Sequence, residues 1–175
     1  MEISRRCLCF TSLGLGICRF ISPAQGEAEQ IQSKKGKMIF KLYPVGVVEN
    51  KNSVHIRIFE RYKDALKGLD GFSHAFVFYW FDRNDNPEKR SILQVYPRGN
   101  RKNPLTGVFA CRTAVRPNLI AFSVCKIVSI KENLIHIEKI DALDQSPVLD
   151  IKPYIPGIDN VTKDVRTPEW VETKS

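Results

Sequence analysis

The chain has 175 residues, of which 43% are apolar and 26% are charged, and its formal net charge is +8. This length allows one domain with a buried core, and the composition is typical of a globular protein rather than a disordered or fibrous one. The sequence contains no Gly-x-Gly-x-x-Gly motif, which argues against a Rossmann-type nucleotide-binding fold.

Residues 1–37 are predicted to be an extension that precedes the folded domain. Met1–Gly26 has features of an export signal, because Ser4-Arg5-Arg6-Cys7-Leu8 is similar to a twin-arginine motif and a short apolar run follows it. Ala24-Gln25-Gly26 would then serve as the small-residue cleavage site. The apolar run is too short to cross a bilayer, so no membrane span is expected.

An alternative interpretation places the start of translation at Met38. Lys34-Lys35-Gly36-Lys37 would then be a translated ribosome-binding sequence, and residues 1–37 would not be made. The first interpretation predicts an exported protein, and the second predicts a cytoplasmic one.

From residue 42 onward the pattern is dominated by strands, with little helix and no alternation of strands and helices. Arg61–Lys67 is predicted to be a short helical turn that ends at Gly68, and Asp82–Ser91 and Pro97–Thr106 are predicted to be loops. A tight hairpin is expected at Lys131-Glu132-Asn133. The predicted strands are Leu42–Val48, Val54–Ile58, Phe72–Phe81 (covered on both sides), Ile92–Tyr96, Val108–Cys111, Leu119–Ile130, Leu134–Ile140 and Val148–Ile151.

These elements predict an all-β fold, a closed or nearly closed antiparallel barrel with one short helix. The barrel domain is expected to span residues 38–159. Residues 160–175 would form a polar tail that Trp170 docks back onto the barrel.

The segment from Lys89 to Arg116 carries only positive charges, because no Asp or Glu occurs in it. Its basic residues are Lys89, Arg90, Arg98, Arg101, Lys102, Arg112 and Arg116. Such a stretch on a loop-rich segment favours binding of phosphates, as in a nucleic acid. The alternative is a solvated surface that keeps the protein soluble.

The five cysteines do not predict a metal site. No Cys-x-x-Cys occurs, and no histidine stands at ligand spacing from a cysteine. Cys111 and Cys125 are expected to be buried free thiols.

Three segments carry a family resemblance: Leu69–His74, Gly107–Asn118 and Asp141–Pro156. Their order and content are similar to the signature segments of the TsaA-like (TrmO) family, over roughly Tyr43 to Asp159. The resemblance implies a β-barrel enzyme that uses S-adenosylmethionine to methylate N6 of threonylcarbamoyladenosine, at position 37 of tRNA. It also implies a homodimer, a cytoplasmic location, and a short form that lacks the C-terminal subdomain of longer members.

The resemblance also assigns cofactor residues. Arg112 is expected near the carboxylate of the cofactor, which suits the fork geometry of its guanidinium; an ion pair with Asp150 is the alternative. Phe122 would contact the cofactor or simply belong to the core. The remaining cofactor positions are Asp82, Arg83, Ala142, Leu143, Asp144 and Gln145, with turn capping as the alternative role of Asp144.

Asp150, Lys152 and Tyr154 form the candidate catalytic cluster, because alternate residues of a strand point to the same face. Asp150 is the candidate proton acceptor, Lys152 would set its charge state, and Tyr154 would stack or donate a hydrogen bond. A network that forms an interface or locks a turn is the alternative. The candidate RNA-binding residues are Arg98, Arg101, Lys102, Arg116 and Asn118.

The chain departs from the family pattern at several positions. Asp82 stands where relatives commonly have histidine, Gln145 where they have glycine, and Leu119 and Ala121 where they have proline and glycine. These departures, together with the signal-like N-terminus, support a second hypothesis. In that hypothesis the protein is a non-catalytic, possibly exported barrel that binds a nucleotide-like ligand or RNA. A structural module that binds only a protein partner is a third possibility.

Overall fold

The computed structural model describes residues 39–172, and every element named below lies in the unit that begins at Leu42. The predicted signal and the alternative start site lie outside the described residues. No helix within the described part is long and apolar enough to cross a membrane.

Strand-forming residues dominate the sequence. The strands are β1 Gly46–Asn50, β2 Val54–Ile58, β3 His74–Trp80, β4 Gln94–Val95, β5 Thr106–Gly107, β6 Ile120–Lys131, β7 Leu134–Ile137 and β8 Pro147–Pro153. Six of them pair into a closed antiparallel barrel in the order β1-β2-β7-β6-β3-β8, and β4 and β5 form a separate two-stranded sheet. The predicted all-β barrel is therefore confirmed.

The helices are short. Their bounds are 3₁₀ segments at Glu60–Leu66, Leu69–Gly71, Asp82–Asn84, Pro97–Gly99 and Val108–Ala110, and α-helical turns α1 Pro87–Ser91, α2 Pro156–Asp159 and α3 Glu169–Glu172. The sequence prediction was therefore wrong in treating residues 82–91 as loop only, because Asn86 caps α1 by accepting from the Lys89 amide at 2.8 Å.

Two strand predictions also need correction. Val108–Cys111 is not a strand: residues 108–110 form a 3₁₀ turn, and the amide of Val108 donates to the carbonyl of Leu93 at 3.0 Å. The aromatic segment around β3 is not covered on both sides, because its residues alternate between buried and half-buried. One face of β3 therefore points into the barrel and the other lies on its outer wall.

The core lies inside the barrel and consists of inward-facing aliphatic side chains. Val48, Ile56, Ile135, Ile137 and Val148 are 0–2% exposed. Alternation along each strand places their neighbours on the outer wall. Cys125 is buried as expected and burial raises the pKa of its thiol to about 11, whereas Cys111 is only half-buried.

Candidate functional site

A cleft with two lobes opens at the end of the barrel where β3 leaves the sheet. The lobes measure about 500 and 460 Å³. They share Tyr79, Phe81, Arg112, Ile140 and Asp141, so they form one continuous depression, which we call the Arg112 cleft.

Most of the predicted cofactor residues line this cleft. The first lobe is lined by Phe122 and by Arg116, a residue predicted to bind RNA. The second is lined by Asp82, Arg83, Ala142 and Leu143, together with Arg112. Residues from three distant parts of the sequence therefore meet in one place.

Asp144 and Gln145 do not line the cleft, but they belong to the loop that forms its wall. The Oδ1 of Asp144 accepts from the amide of Asn50 at 2.9 Å, and its Oδ2 lies 3.6 Å from the Nζ of Lys51. The bond from the Asn50 amide is the main reason that the pKa of Asp144 is lowered. Asp144 therefore links its loop to the end of β1, and the turn capping predicted as its alternative role stays a prediction.

The loop at residues 141–146 is fixed to the barrel at further points. Asn50 donates from its side chain to the carbonyl of Ala142 at 2.9 Å, and the amide of Gln145 donates to Val48 at 2.7 Å. The hydroxyl of Tyr79 donates to the carbonyl of Asp141 at 2.6 Å. Burial raises the pKa of that hydroxyl, so Tyr79 remains a neutral donor near neutral pH.

Gln145 adopts a left-handed backbone conformation, with φ of 67°. Only glycine enters this region without steric cost. This cost gives a physical reason for the glycine that the TsaA-like family pattern has at the position of Gln145. The glutamine side chain is exposed, and its amide group lies 3.5 Å from Asp144. The substitution therefore strains the turn without filling the cleft.

Leu119 and Ala121, the other departures in this region, face the interior. They are 0% and 6% exposed, so they add apolar volume to the core where the family pattern has proline and glycine. Neither change places a polar group inside the barrel.

Arg112 packs over the ring of Phe122, with its Cζ 4.7 Å from the ring centroid. The predicted alternative, an ion pair with Asp150, does not form, because the carboxylate of Asp150 pairs with the Nζ of Lys152 at 2.8 Å. Phe122 is 39% exposed and hence is not plain core. The guanidinium is held by an aromatic ring, which leaves its hydrogen-bond donors available to an anion.

The catalytic candidates do not line the Arg112 cleft, and Asp150 instead lines a separate hollow together with Tyr62 and Leu66. Asp150 and Lys152 are exposed on β8, and Tyr154 follows the end of that strand. Tyr154 packs against Phe76 at 5.7 Å and His74 at 6.3 Å between ring centroids. In the sheet register Asp150 stands opposite Phe78, which stands opposite Phe122, so β3 separates the cluster from the first lobe.

The RNA-binding candidates fall into two groups. Arg116 lines the cleft, and Asn118 is exposed two residues before β6 begins. Arg98, Arg101 and Lys102 lie in the loop at residues 97–104. Trp170 of the tail lines a hollow together with Arg98 and Lys102, and Arg98 donates to the carbonyl of Val171 at 3.2 Å.

Sequence reasoning missed two residues of this region. Tyr79 lies within a run of aromatic residues, and Asn50 ends an ordinary strand, so neither stands out in the sequence. Their roles depend on hydrogen bonds to a loop far along the chain.

Comparisons with known proteins agree with this picture. Residues 43–160 match the model of the tRNA-methyltransferase O N-terminal domain. A probable S-adenosyl-L-methionine-binding protein of Methanocaldococcus jannaschii is 44% identical over 122 residues, which cover 69% of this chain and 97% of that protein. A human tRNA (adenine(37)-N6)-methyltransferase is 36% identical over 104 residues, covering 59% of this chain and 23% of that protein.

The fold is also that of a solved structure. TrmO from Pseudomonas aeruginosa superposes with a TM-score of 0.57 at 26% identity, covering 74% of this chain and 62% of that one. The chain thus spans less than two thirds of that structure, but nearly the whole of the archaeal relative.

Proposed function

Because the chain belongs to the family of the tRNA-methyltransferase O N-terminal domain, we propose that it is an S-adenosylmethionine-dependent tRNA methyltransferase. We further propose that its acceptor is N6 of threonylcarbamoyladenosine at position 37. The observation that carries the proposal is the Arg112 cleft, in which residues predicted from three separate segments line one depression.

The residues of the cleft fit S-adenosylmethionine chemically. Arg112 offers a guanidinium for the carboxylate, and Asp82 offers a carboxylate for the ammonium group or a ribose hydroxyl. Phe81 and Phe122 offer aromatic faces for the adenine. When bound, the cofactor supplies a methyl group on a positively charged sulfur.

The chain itself must then position the acceptor and remove a proton. A methyl transfer of this kind needs alignment and exclusion of water, but no protein nucleophile. Asp150 would take the proton that leaves N6, and Lys152, whose Nζ lies 2.8 Å from the carboxylate of Asp150, would hold that carboxylate in position. Tyr154 would stack against the nucleobase or donate a hydrogen bond to it.

We also infer that the active protein is a dimer. The outer wall of β3 and β6 carries Phe76, Phe78, Ile120, Phe122 and Val124, and the last three are 39–47% exposed. Outward residues of an antiparallel sheet are normally polar, so an apolar wall of this kind favours a partner. Ile120, Phe122 and Val124 also line the first lobe of the Arg112 cleft, so a second copy on this wall would form part of the surroundings of the bound cofactor.

The test of function is a methylation assay with the full chain, S-adenosylmethionine, and tRNA that carries threonylcarbamoyladenosine. Mass spectrometry of the digested nucleosides should show a gain of one methyl group on that nucleoside. Asp150→Asn, which keeps the size of the side chain, should reduce the yield by about 10²–10⁴. If the protein instead methylates unmodified adenosine, the proposal that it is a methyltransferase stands, but the proposed acceptor nucleoside is wrong.

The second hypothesis, a non-catalytic ligand-binding barrel, is favoured by the strained Gln145 and by Asp82 in place of histidine. It predicts binding of S-adenosylmethionine or of a related nucleoside with no methylated product. The same assay, combined with a binding measurement, distinguishes the two.

A further inference from the structure

Three side chains form a bonded cluster where β3 ends, and none of them lines the Arg112 cleft. The Nε of Arg90 donates to Oδ1 of Asp85 at 2.8 Å, and the indole N–H of Trp80 donates to Oδ2 of the same carboxylate at 3.1 Å. The guanidinium of Arg90 also packs on the indole of Trp80, with its Cζ 5.3 Å from the ring centroid. The position of the guanidinium is therefore fixed by an anion and by an aromatic ring.

Arg90 makes a further contact, to a residue far along the chain. Its Nη1 donates to the carbonyl of Pro117 at 2.8 Å. Arg90 foremost, and then Trp80, lower the pKa of Asp85, so the carboxylate that holds the guanidinium is ionised near neutral pH. The proline ring already restricts the backbone at residue 117, so a hydrogen bond to its carbonyl orients the peptide plane that follows.

The bond from Arg90 acts on a segment that forms part of the cleft wall. Arg116 lines the first lobe, Ala114 lines the second, and Arg112 lines both. Residues 112–118 belong to no helix or strand, so no ladder of backbone hydrogen bonds sets their course. Their positions must be fixed by other contacts.

Within residues 39–172, the bond from Arg90 is the one hydrogen bond that joins residues 113–117 to another element. The remaining bond in this segment is internal to it. The chain is bonded to the barrel again at Leu119, whose carbonyl accepts from the amide of Phe81 at 2.9 Å. Without the Arg90 bond, the segment around Arg116 would be hydrogen-bonded to the described part of the protein only beyond its ends.

We propose that Arg90 is a positioning residue, which holds the carbonyl of Pro117 so that Arg116 stays at the wall of the Arg112 cleft. This role rests on the proposed methyltransferase function, in which Arg116, a predicted RNA-binding residue, contacts the tRNA beside the cofactor. It also separates Arg90 from the other basic residues between Lys89 and Arg116. The guanidinium of Arg90 is engaged within the protein, so it acts through geometry rather than by contacting a phosphate.

The first test measures backbone order by ¹⁵N nuclear magnetic relaxation of the full chain, in the wild type and in Arg90→Lys. A lysine keeps the charge but lacks the fork that bonds Asp85 and Pro117 together. Order parameters in residues 113–118 should fall from about 0.85 to below about 0.6, while those of the loop at residues 141–146 should not change. Arg61→Lys, at an exposed arginine outside the cleft, is the matched control and should match the wild type throughout.

The second test measures methylation of tRNA by the same variants. Arg90→Lys should lower kcat/KM by up to about a hundredfold, because a small displacement from the reactive geometry is enough to lose that much rate. If Arg90 acts through Arg116, the two changes should not add. In the Arg116→Ala background, Arg90→Lys should therefore cost less than about twofold. A role in stability alone would give the same loss in both backgrounds.

Unchanged order parameters at residues 113–118 in Arg90→Lys would overturn the proposal, as would wild-type activity in that variant or a loss that is independent of Arg116. If the wild type transfers no methyl group, the proposed function fails, and the order parameters still decide whether Arg90 holds the segment. Circular dichroism would establish that each variant is folded. Asp85→Asn, which leaves Arg90 in place but removes the charge that fixes it, should show the same losses to a smaller extent.

Discussion

The two polar loops of this barrel are held in opposite ways. The loop at residues 141–146 is bonded to the barrel wall through Tyr79, Asn50 and the backbone of Val48. The basic loop at residues 97–104 is bonded largely to itself and to the tail, as in the bonds from Asn103 to Pro97 and from Arg98 to Val171. A fixed loop suits a small ligand that must be aligned, whereas a basic loop needs only its charge to attract a polyanion.

The largest effect should come from the bond that fixes the first loop. Tyr79→Phe removes the hydroxyl that donates to the carbonyl of Asp141 and leaves that acceptor without its partner. We expect the free energy of unfolding to fall by about 1–3 kcal/mol. Chemical denaturation measures it. Tyr43→Phe, at an exposed tyrosine, is the matched control and should change little.

The bond that Asp144 accepts from the amide of Asn50 should have the next largest effect, and that effect should depend on pH. The pKa of Asp144 is lower in the folded state than in the unfolded chain because the carboxylate accepts from Asn50. Its stabilising contribution is therefore present above the unfolded pKa of about 4 and is lost as the pH falls through the lower folded value. Asp144→Asn should reduce stability at pH 7, and the difference from wild type should shrink on acidification.

The basic loop should respond in the opposite sense, with little change in stability and a clear change in RNA binding. Replacing Arg101 and Lys102 by Ala should alter the free energy of unfolding by less than about 0.5 kcal/mol per site. The affinity for tRNA should fall, and the slope of log affinity against log salt should decrease by up to about 2. If the slope of log affinity against log salt is unchanged, this loop is not part of the RNA interface.

At Gln145 two contributions to stability should nearly cancel. Gln145→Gly relieves the left-handed strain but makes the unfolded chain more flexible, so these effects oppose each other. We expect a stability change within about 1 kcal/mol. Thermal unfolding of Gln145→Gly and Gln145→Ala should be compared. Gln145→Ala keeps the backbone strain, so the difference between the two variants separates the relief of strain and the flexibility of the unfolded chain from the loss of the glutamine side chain.

The fold could be predicted largely because its strands have a simple period. Val54–Ile58 alternates strictly between apolar and other residues, and β2 has these same bounds. Val108–Cys111 could not be assigned in this way, because a short apolar run has no period that distinguishes a strand from a 3₁₀ turn. Its conformation depends on the distant carbonyl of Leu93.

The candidate site could be predicted only in part. Charged residues that interrupt apolar segments, such as Arg112 and Asp144, stand out in a sequence. Tyr79 and Asn50 do not, because their roles arise from hydrogen bonds to a loop far along the chain. The roles assigned to Asp150, Lys152 and Tyr154 remain predictions, as do the domain bounds and the RNA-binding residues.

The central claim is that the Arg112 cleft binds S-adenosylmethionine, and calorimetric titration of the full chain tests it most directly. The wild type should bind the cofactor. Arg112→Ala should lose about tenfold to a hundredfold in affinity, the value of a hydrogen bond to a charged group, while Arg101→Ala on the basic loop should bind as the wild type does. Equal affinity in Arg112→Ala and wild type, or no binding to the wild type, would contradict the account.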